Sequence, residues 1–318
     1  MVYCFLVMAS LLFCSETVTC MELVNGSPRR MFLAGDDDQR AVLVGSGKEV
    51  IRKYKKLNGV DTIAINGGSH CGASGRIQLN ITQVTNADTS EKVVIYADDN
   101  VLPYFMVTQR DNCLDIELSA LNQKVRPSKA IVIAMALKKY STITTRKYVD
   151  TVFLSPIQSD SLTVLLSSQV RMYMPSICAK KIHIELEDDS ELIGGKKDIL
   201  VADSLSINNK GSASARLAVK TEFLHVNNRG KGNLVLEGTA TKQDLVLFEG
   251  SFCAGDLESE RILVSVGKGL GSVQLWAKEC ISGISSRESQ HEMEFAVPSR
   301  SSISLSVVNG ISPEGIVF

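Results

Sequence analysis

The sequence predicts an all-β protein, a right-handed parallel β-solenoid (β-helix) with coils of about 20 residues and a β-rich N-terminal portion. Three observations support this prediction. Val, Ile and Leu alternate with Ser, Thr and Asn along much of the 318-residue chain, and only 6% of its residues are aromatic, which favours strands over helices. Residues 205–211 return in similar form as residues 224–230. Comparable starts then recur along the second half of the chain.

The first residues resemble a secretory signal peptide. Tyr3 to Phe13 are almost wholly apolar and uncharged, a run too short for a bilayer, which needs about 20 apolar residues. Small and polar residues follow, so we predict a signal peptide over residues 1–20 with cleavage near Thr19 or Cys20. Because no Lys or Arg precedes the run, a mis-assigned start or a buried strand is the alternative. Lipidation of Cys20 is disfavoured because Thr17 stands where Leu is usual.

Composition excludes several classes of partner and site. The formal net charge is −1, so no general attraction to nucleic acid or to an anionic membrane is expected. The eight cysteines contain no Cys-x-x-Cys pair, which supports neither a zinc site nor a disulfide framework. We predict that they act as small buried apolar residues. No cofactor or metal is predicted, and no membrane span is expected in the mature chain.

Residues 21–40 are predicted to form a linker, and residues 41–157 a β-rich N-terminal part. The linker combines turn residues with the acidic run Asp36 to Asp38, which lacks the spaced ligands of a calcium loop. Later, residues 67–75 form a glycine-rich loop that contains His70 and Cys71. The loop is not a phosphate-binding Walker loop, and adjacent residues of a strand point apart. A catalytic dyad is therefore not predicted there.

A resemblance to a known family arises within this N-terminal part. The resemblance rests on four motifs that occur in a fixed order along the chain: Gly45-x-Gly47-Lys48, Val60-Asp61-x-Ile63-x-Ile65-x-Gly67-Gly68, residues 97–104 (Ala-Asp-Asp-Asn-Val-Leu-Pro-Tyr), and Leu114-x-Ile116. The chain resembles the head-GIN domain family of autotransporter adhesins over roughly residues 43–290. The resemblance implies an all-β fold with stacked repeats, export to the cell envelope and no established catalytic residues. Residues 167–170 and 187–190 depart from the glycine-rich turns of that family.

The repeat is predicted to occupy residues 158–297. Each start is an apolar-x-apolar segment followed by a turn and a second apolar pair, the pattern of a coil with two or three short strands. An antiparallel sandwich with hairpins of similar length is the alternative. The predicted starts are Leu162, Ile182, Leu205, Leu224, Leu245 and Ile262.

The turns of the duplicated unit supply four further repeat markers, Asn208, Gly211, Asn227 and Gly230. With the two units stacked in phase, Asn208 lies over Asn227. Amide side chains in such a position can hydrogen-bond along a stack. We therefore predict a short amide ladder from Asn208 to Asn227, and we interpret these residues as register markers rather than as a binding site.

Two groups of polar residues remain as candidates for chemistry. Glu185, Glu187, Asp188, Asp189 and Glu191 form the largest acidic cluster, which could hold calcium or act on a polysaccharide. A solvated outer face is the favoured interpretation. His183 and His225 are predicted to lie two coils apart, about 9 to 10 Å at one strand spacing per coil, which is too far to share a metal ion.

The functional prediction is an exported, non-catalytic β-solenoid acting in cell-surface or envelope interaction or adhesion. It is expected in the periplasm, on the outer surface or outside the cell, with an unidentified protein or glycan partner. Residues 298–318 are predicted to be a C-terminal cap or tail. The alternatives are a β-helix enzyme that acts on polysaccharide, a purely structural envelope protein, and an intracellular protein whose first residues only resemble a signal.

Overall fold

The computed structural model describes residues 41–55, 57, 59–68, 76–85, 90–119, 123–267, 270–286, 293–296 and 302–308. Within these ranges the chain is almost entirely β-strand, with one 3-10 turn at Leu102–Tyr104 and no α-helix. Among the described residues, no helix is long and apolar enough to cross a membrane. The alternation of Val, Ile and Leu with small polar residues suits strands that bury one face.

The strands follow one another along the chain with short connections. The first nine are β1 (Ala41–Val44), β2 (Glu49–Lys55), β3 (Thr62–Asn66), β4 (Ile77–Gln83), β5 (Lys92–Asp98), β6 (Phe105–Arg110), β7 (Cys113–Leu118), β8 (Gln123–Arg126) and β9 (Ile131–Leu137). The next nine are β10 (Thr142–Arg146), β11 (Val149–Phe153), β12 (Ile157–Ser167), β13 (Arg171–Met174), β14 (Ile177–Leu186), β15 (Glu191–Gly194), β16 (Ile199–Asn209), β17 (Ser214–Asn228) and β18 (Asn233–Leu247). The last six are β19 (Gly250–Ala254), β20 (Leu257–Val266), β21 (Leu270–Trp276), β22 (Cys280–Ser286), β23 (Met293–Ala296) and β24 (Ser302–Val308).

Neighbouring coils pair in parallel, which is the arrangement of a β-solenoid of about 8 turns with coils about 20 residues apart. A complete coil has three sides. Side 1 contains short strands such as β13 and β15. Sides 2 and 3 are the two halves of long strands such as β14 and β16, whose pairing is interrupted at a corner between Lys180 and Asp203. Strands β17 and β18 run through all three sides.

Inward side chains of successive coils stack into apolar columns. On side 3, Leu162 pairs with Ile182, Ile182 with Leu205 and Leu205 with Leu224. These residues are at most 2% exposed. Because alternate residues of a strand point to the same face, the residues two positions further on form a second column that is equally buried. The core is thus one continuous stack along the coils.

The register differs from the prediction at Leu245. Gln243, rather than Leu245, faces Leu224 on one side and Ile262 on the other. Leu245 lies two residues further along and faces Val226. The two positions share one face of the strand, so an apolar pattern cannot tell them apart. Gln243 is nevertheless only 3% exposed, and its amide nitrogen donates a hydrogen bond to the Ser259 hydroxyl.

The first coils are not stacked in chain order. Strand β3 pairs with β10 on one edge and with β7 on the other, and β4 likewise lies between β11 and β9. At the N-terminal end of the stack the pairing becomes antiparallel. Strand β6 pairs antiparallel with β7, and β5 lies between β9 and β2 and pairs antiparallel with both. The N-terminal end of the stack is thus extended by antiparallel strands.

The parallel stack is longer than the predicted segment 158–297. It includes β3, β4, β7 and β9 to β11 before this segment. After the segment it continues with β24, which pairs with β22 and lies inside the predicted C-terminal cap or tail. The early coils escape prediction because the excursion through β5 and β6 interrupts their spacing along the sequence.

The described cysteines correct the prediction of buried, core-like thiols. Cys113, Cys178, Cys253 and Cys280 are free, and none of them is buried. Cys178 points outward on side 2, whereas Cys113 and Cys280 are the first residues of their strands. The sequence alone does not show which face of a strand is solvent-exposed where both faces carry small residues. Cys253 donates a hydrogen bond to the side chain of Gln274 over 3.0 Å.

Candidate functional site

Residues 97–100 (Ala-Asp-Asp-Asn) hold the loop between β1 and β2 against the N-terminal end of the stack. Asp98 is only 1% exposed, and its carboxylate accepts hydrogen bonds from the Gly47 backbone over 3.0 Å and from the Ser128 backbone over 2.8 Å. Asn100 accepts from the Ser46 backbone over 3.0 Å. A Cβ on Gly45 would lie 2.2 Å from the Asp98 carboxylate, so glycine is required there. The segment therefore holds structure and offers no free carboxylate.

The amide ladder forms between different asparagines from those predicted. Asn208 does pair with Asn227 across adjacent coils, but both point outward. The next residue along each strand, Asn209 or Asn228, is fully buried. The Asn209 side-chain amide donates a hydrogen bond to the Asn228 side-chain oxygen over 2.9 Å. The reason is strand alternation, because Leu205 points inward and Asn209, four residues later, lies on the same face.

The two marker glycines allow close stacking of turns. A Cβ on Gly230 would lie 2.0 Å from the Gly211 carbonyl oxygen, and a Cβ on Gly211 would lie 2.3 Å from the Asp188 backbone nitrogen. Successive turn backbones are thus in direct contact, and a side chain would separate them. Gly211 and Gly230 occupy the turns of the stack and face no open site.

The acidic cluster is divided and largely paired. Lys210 forms ion pairs with Glu185 and Glu187, and its hydrogen bond to Glu185 raises the pKa of Lys210. Glu191 lies on side 1 and pairs with Arg171 over 3.2 Å. Asp188 accepts a hydrogen bond from Ser168 over 2.9 Å. In the part of the chain that the structure describes, no group of three His, Cys, Asp or Glu side chains is arranged to hold a metal ion.

His183 and His225 lie in one outward column of side 3. His183 faces Ser206, which faces His225, so the two rings are separated by one coil. His225 lies 3.2 Å from the Asp244 carboxylate in the next coil. Both side chains of this pair are about two-fifths exposed on an open sheet face. The arrangement does not bring His183 and His225 together at one site.

A groove that the sequence analysis missed runs along side 2 and its corner with side 3. Its volume is about 530 Å³, and it crosses five successive coils, a span of about 19 Å at one strand spacing per coil. Small residues form its floor, namely Ser159, Ala179, Ala202 and Thr221. The signal in the sequence is that these small residues occur at equivalent positions of successive coils.

The two walls of the groove differ in chemistry. One consists of outward residues of side 2, namely Cys178, Val201, Lys220 and Thr239, and the other of the corner residues Asp160, Lys180, Asp203, Glu222 and Thr241. Lys180 binds Asp160 over 3.1 Å, and its hydrogen bond and charge hold the pKa of Asp160 below the usual value. The groove thus offers hydroxyls, carboxylates and ammonium groups along its two walls.

Several sequence-predicted features lie outside the described residues. These are the signal peptide over residues 1–20, the linker over residues 21–40, and the His70–Cys71 loop. The predicted cleavage site near Thr19 or Cys20 also lies outside the described residues. They remain predictions.

Solved structures share this fold at low sequence identity. A putative adhesin from Parabacteroides distasonis ATCC 8503 aligns with a TM-score of 0.55 and 15% identity, over 84% of this chain and 96% of that chain. A putative adhesin from Parabacteroides merdae ATCC 43184 aligns with a TM-score of 0.52 and 17% identity, over 83% of this chain and 98% of that chain. No curated protein sequence matches the chain.

A family model matches the chain twice, over residues 70–197 and 193–292. Its description is "Putative auto-transporter adhesin, head GIN domain". The two matches together span more than half of the chain and include the groove, the asparagine ladder and most of the stacked coils. The chain therefore belongs to the head GIN domain family that this model describes.

Proposed function

We propose that this protein is an exported, non-catalytic β-solenoid that acts in adhesion or interaction at the cell surface or envelope, with the side 2 groove as its contact surface. The observation that carries the proposal is the groove, which crosses five coils and is edged by charged and hydroxyl side chains. Repeat stacks present extended surfaces of this kind to elongated partners. The family description supports the adhesive role.

The groove favours a hydrophilic, elongated partner. Backbone groups on side 2 are already paired between coils, so the partner cannot be held by adding a strand there. Recognition has to come from side chains that line the groove, such as Lys220, Asp203 and Glu222. A chain molecule with regularly spaced polar groups could contact each coil in turn.

Charge pairing supports the non-catalytic part of the proposal. A polysaccharide-cleaving enzyme needs a carboxylic acid and a second carboxylate or base that face one substrate. Glu185 and Glu187 are paired with Lys210, whereas Glu191 is paired with Arg171 on another side of the coil. The residues that suggested an enzyme therefore do not converge on one open site.

The contact surface is tested with two arginine variants of one strand. Val201 lies in the groove and is 38% exposed, so Val201→Arg would fill the groove without burying a charge. Ile199, two residues earlier, is 41% exposed and does not line the groove. Binding of the labelled full-length protein to cells of its native source should weaken at least about tenfold for Val201→Arg and stay unchanged for Ile199→Arg.

Equal binding by both variants would remove the groove from the proposal, and no binding by the unmodified protein would favour a purely structural envelope role. Export is tested separately by fractionation of native cells with sequencing of the mature N-terminus. A cytosolic protein that begins at Met1 would contradict export while leaving the groove measurement intact.

A further inference from the structure

The last described strand leaves the apolar core uncovered. Ile303 of β24 pairs with Ile281 of β22, so it continues the side 3 column. Ile281 is fully buried, but Ile303 is 45% exposed and Val307, on the same face, is 48% exposed. Leu305 between them, together with Met293 and Phe295 of β23, is only partly buried against the core. An exposed apolar surface of this kind is typical of a site that binds another molecule.

The opposite end of the stack is protected in a different way. There, antiparallel strands β2, β5 and β6 extend the sheets, so that β2 and β6 are both edge strands. Strand β2 carries Arg52, Lys53 and Lys55, and β6 ends at Arg110. Basic residues on an edge strand discourage pairing with another chain. Strand β24 reads Ser-Ile-Ser-Leu-Ser-Val-Val and carries no charge. Among the described edge strands β2, β6 and β24, β24 is the one without a charged residue, which is the composition of an edge that accepts a strand.

We propose that the β24 edge binds the β24 edge of a second copy, which joins two solenoids end to end about a two-fold axis. The strand is self-complementary around Leu305. In an antiparallel pair centred there, Leu305 faces Leu305 of the second copy, and Ile303 faces its Val307. All the facing apolar residues lie on the core side of the sheet, so the side 3 column continues from one copy into the other.

Residues 309–318 are the competing occupant of this edge. Asn309-Gly310 is a sequence that favours a two-residue hairpin turn. Such a turn would place Glu314 opposite Leu305 on the core side. It would also place Pro313, which has no backbone N–H, in the ladder opposite Ser306. The second copy offers apolar partners and a complete set of donors at the same positions, and it is therefore favoured.

The proposal is tested by the mass of the full-length protein in solution, measured by light scattering over a range of concentrations. The unmodified chain should reach twice the monomer mass of 34.6 kDa, less any cleaved signal. Leu305→Lys places two like charges face to face at the axis and should raise the dimer dissociation constant at least about 100-fold. Leu263→Lys is the matched control, because Leu263 is 42% exposed on an inner coil, and it should dimerise normally.

A charge-swap experiment separates association from folding. A mixture of Leu305→Lys and Leu305→Glu chains should recover the dimer, while each variant alone stays monomeric. A monomeric unmodified chain would overturn the proposal. If removal of residues 309–318 then produced dimers, the tail would be the native occupant of the edge. Dimerisation that survives Leu305→Lys would overturn it equally.

Discussion

At the scale of single residues, the position of a polar side chain in the alternation of its strand decides its role. Asn208 and Asn209 are adjacent and chemically identical, yet only Asn209 is buried and bonded to the next coil, where Asn228 accepts its amide hydrogen. Asn209 also donates to the Ala213 carbonyl over 3.1 Å. One amide thus joins two coils and closes its own turn, while its neighbour faces solvent.

We expect Asn209→Ala to lower the free energy of unfolding by about 1–3 kcal/mol, because it leaves the buried Asn228 oxygen and the Ala213 carbonyl without their donor. Asn208→Ala is the matched control and should change it by no more than about 0.5 kcal/mol, as exposed substitutions usually do. Urea unfolding followed by circular dichroism measures both. Equal losses for the two variants would mean that the ladder does not depend on the inward residue.

At the scale of the coil, a polar residue can occupy a position in the apolar column when a neighbouring coil supplies its hydrogen-bond partner. Gln243 occupies a place where Leu224 and Ile262 flank it in the apolar column. Ser259 supplies its acceptor, and its own side-chain oxygen is buried without a hydrogen-bond partner among the described residues. The turns show a similar tolerance, because Ser168 and Gln169 adopt positive φ angles of 63° and 61°, a conformation that normally favours glycine.

The double change Gln243→Leu with Ser259→Ala should stabilise the protein by about 0.5–1.5 kcal/mol. It removes both members of a buried polar pair together with the unsatisfied oxygen, and it restores a leucine to the column. Gln274→Leu is the control, because the hydrogen bonds of Gln274 to Cys253 and Glu294 are exposed, and it should change the free energy of unfolding by no more than about 0.5 kcal/mol. Chemical denaturation measures the difference. A loss of stability in the double variant would show that the amide is needed to set the register of its coil.

At the scale of the whole molecule, stability should be nearly additive over coils because each coil contacts mainly its neighbours. Residues 205 and 224 are equivalent positions in adjacent coils. Deleting residues 205–223 therefore joins Ser204 to Leu224 in the correct phase. Ile182 then faces Leu224 in place of Leu205, and the apolar column stays continuous.

We expect the deletion of residues 205–223 to give a folded protein with a cooperative thermal transition. Deletion of residues 205–213 is the control, since it removes side 3 and its turn from one coil while leaving side 1 in place. That variant should lose cooperative unfolding. Calorimetry distinguishes the two variants. An unfolded variant lacking residues 205–223 would contradict the expectation that stability is nearly additive over coils.

Much of the architecture could be predicted because it depends on periodic local patterns. The repeat length, the all-β class and the parallel coils follow from apolar residues that recur about every 20 positions, since such short units bury their apolar faces only against one another. The resemblance carried by residues 97–104 pointed to the family, and the family match agrees. The exact phase could not be predicted where two positions on one face were both acceptable, as at Gln243 and Leu245.

The sequence by itself determined the class of fold, the coil length and the family of this protein, because these depend on local alternation and on repetition. Only the tertiary structure decided which asparagines form the ladder, that β3 and β4 lie between coils from later in the chain, and that a groove runs beside Ala179 and Ala202. Each of these depends on contacts between residues that are distant in sequence. Such contacts depend on the order in which the coils stack and on the face of the strand that each residue occupies, and the repeat length by itself fixes neither.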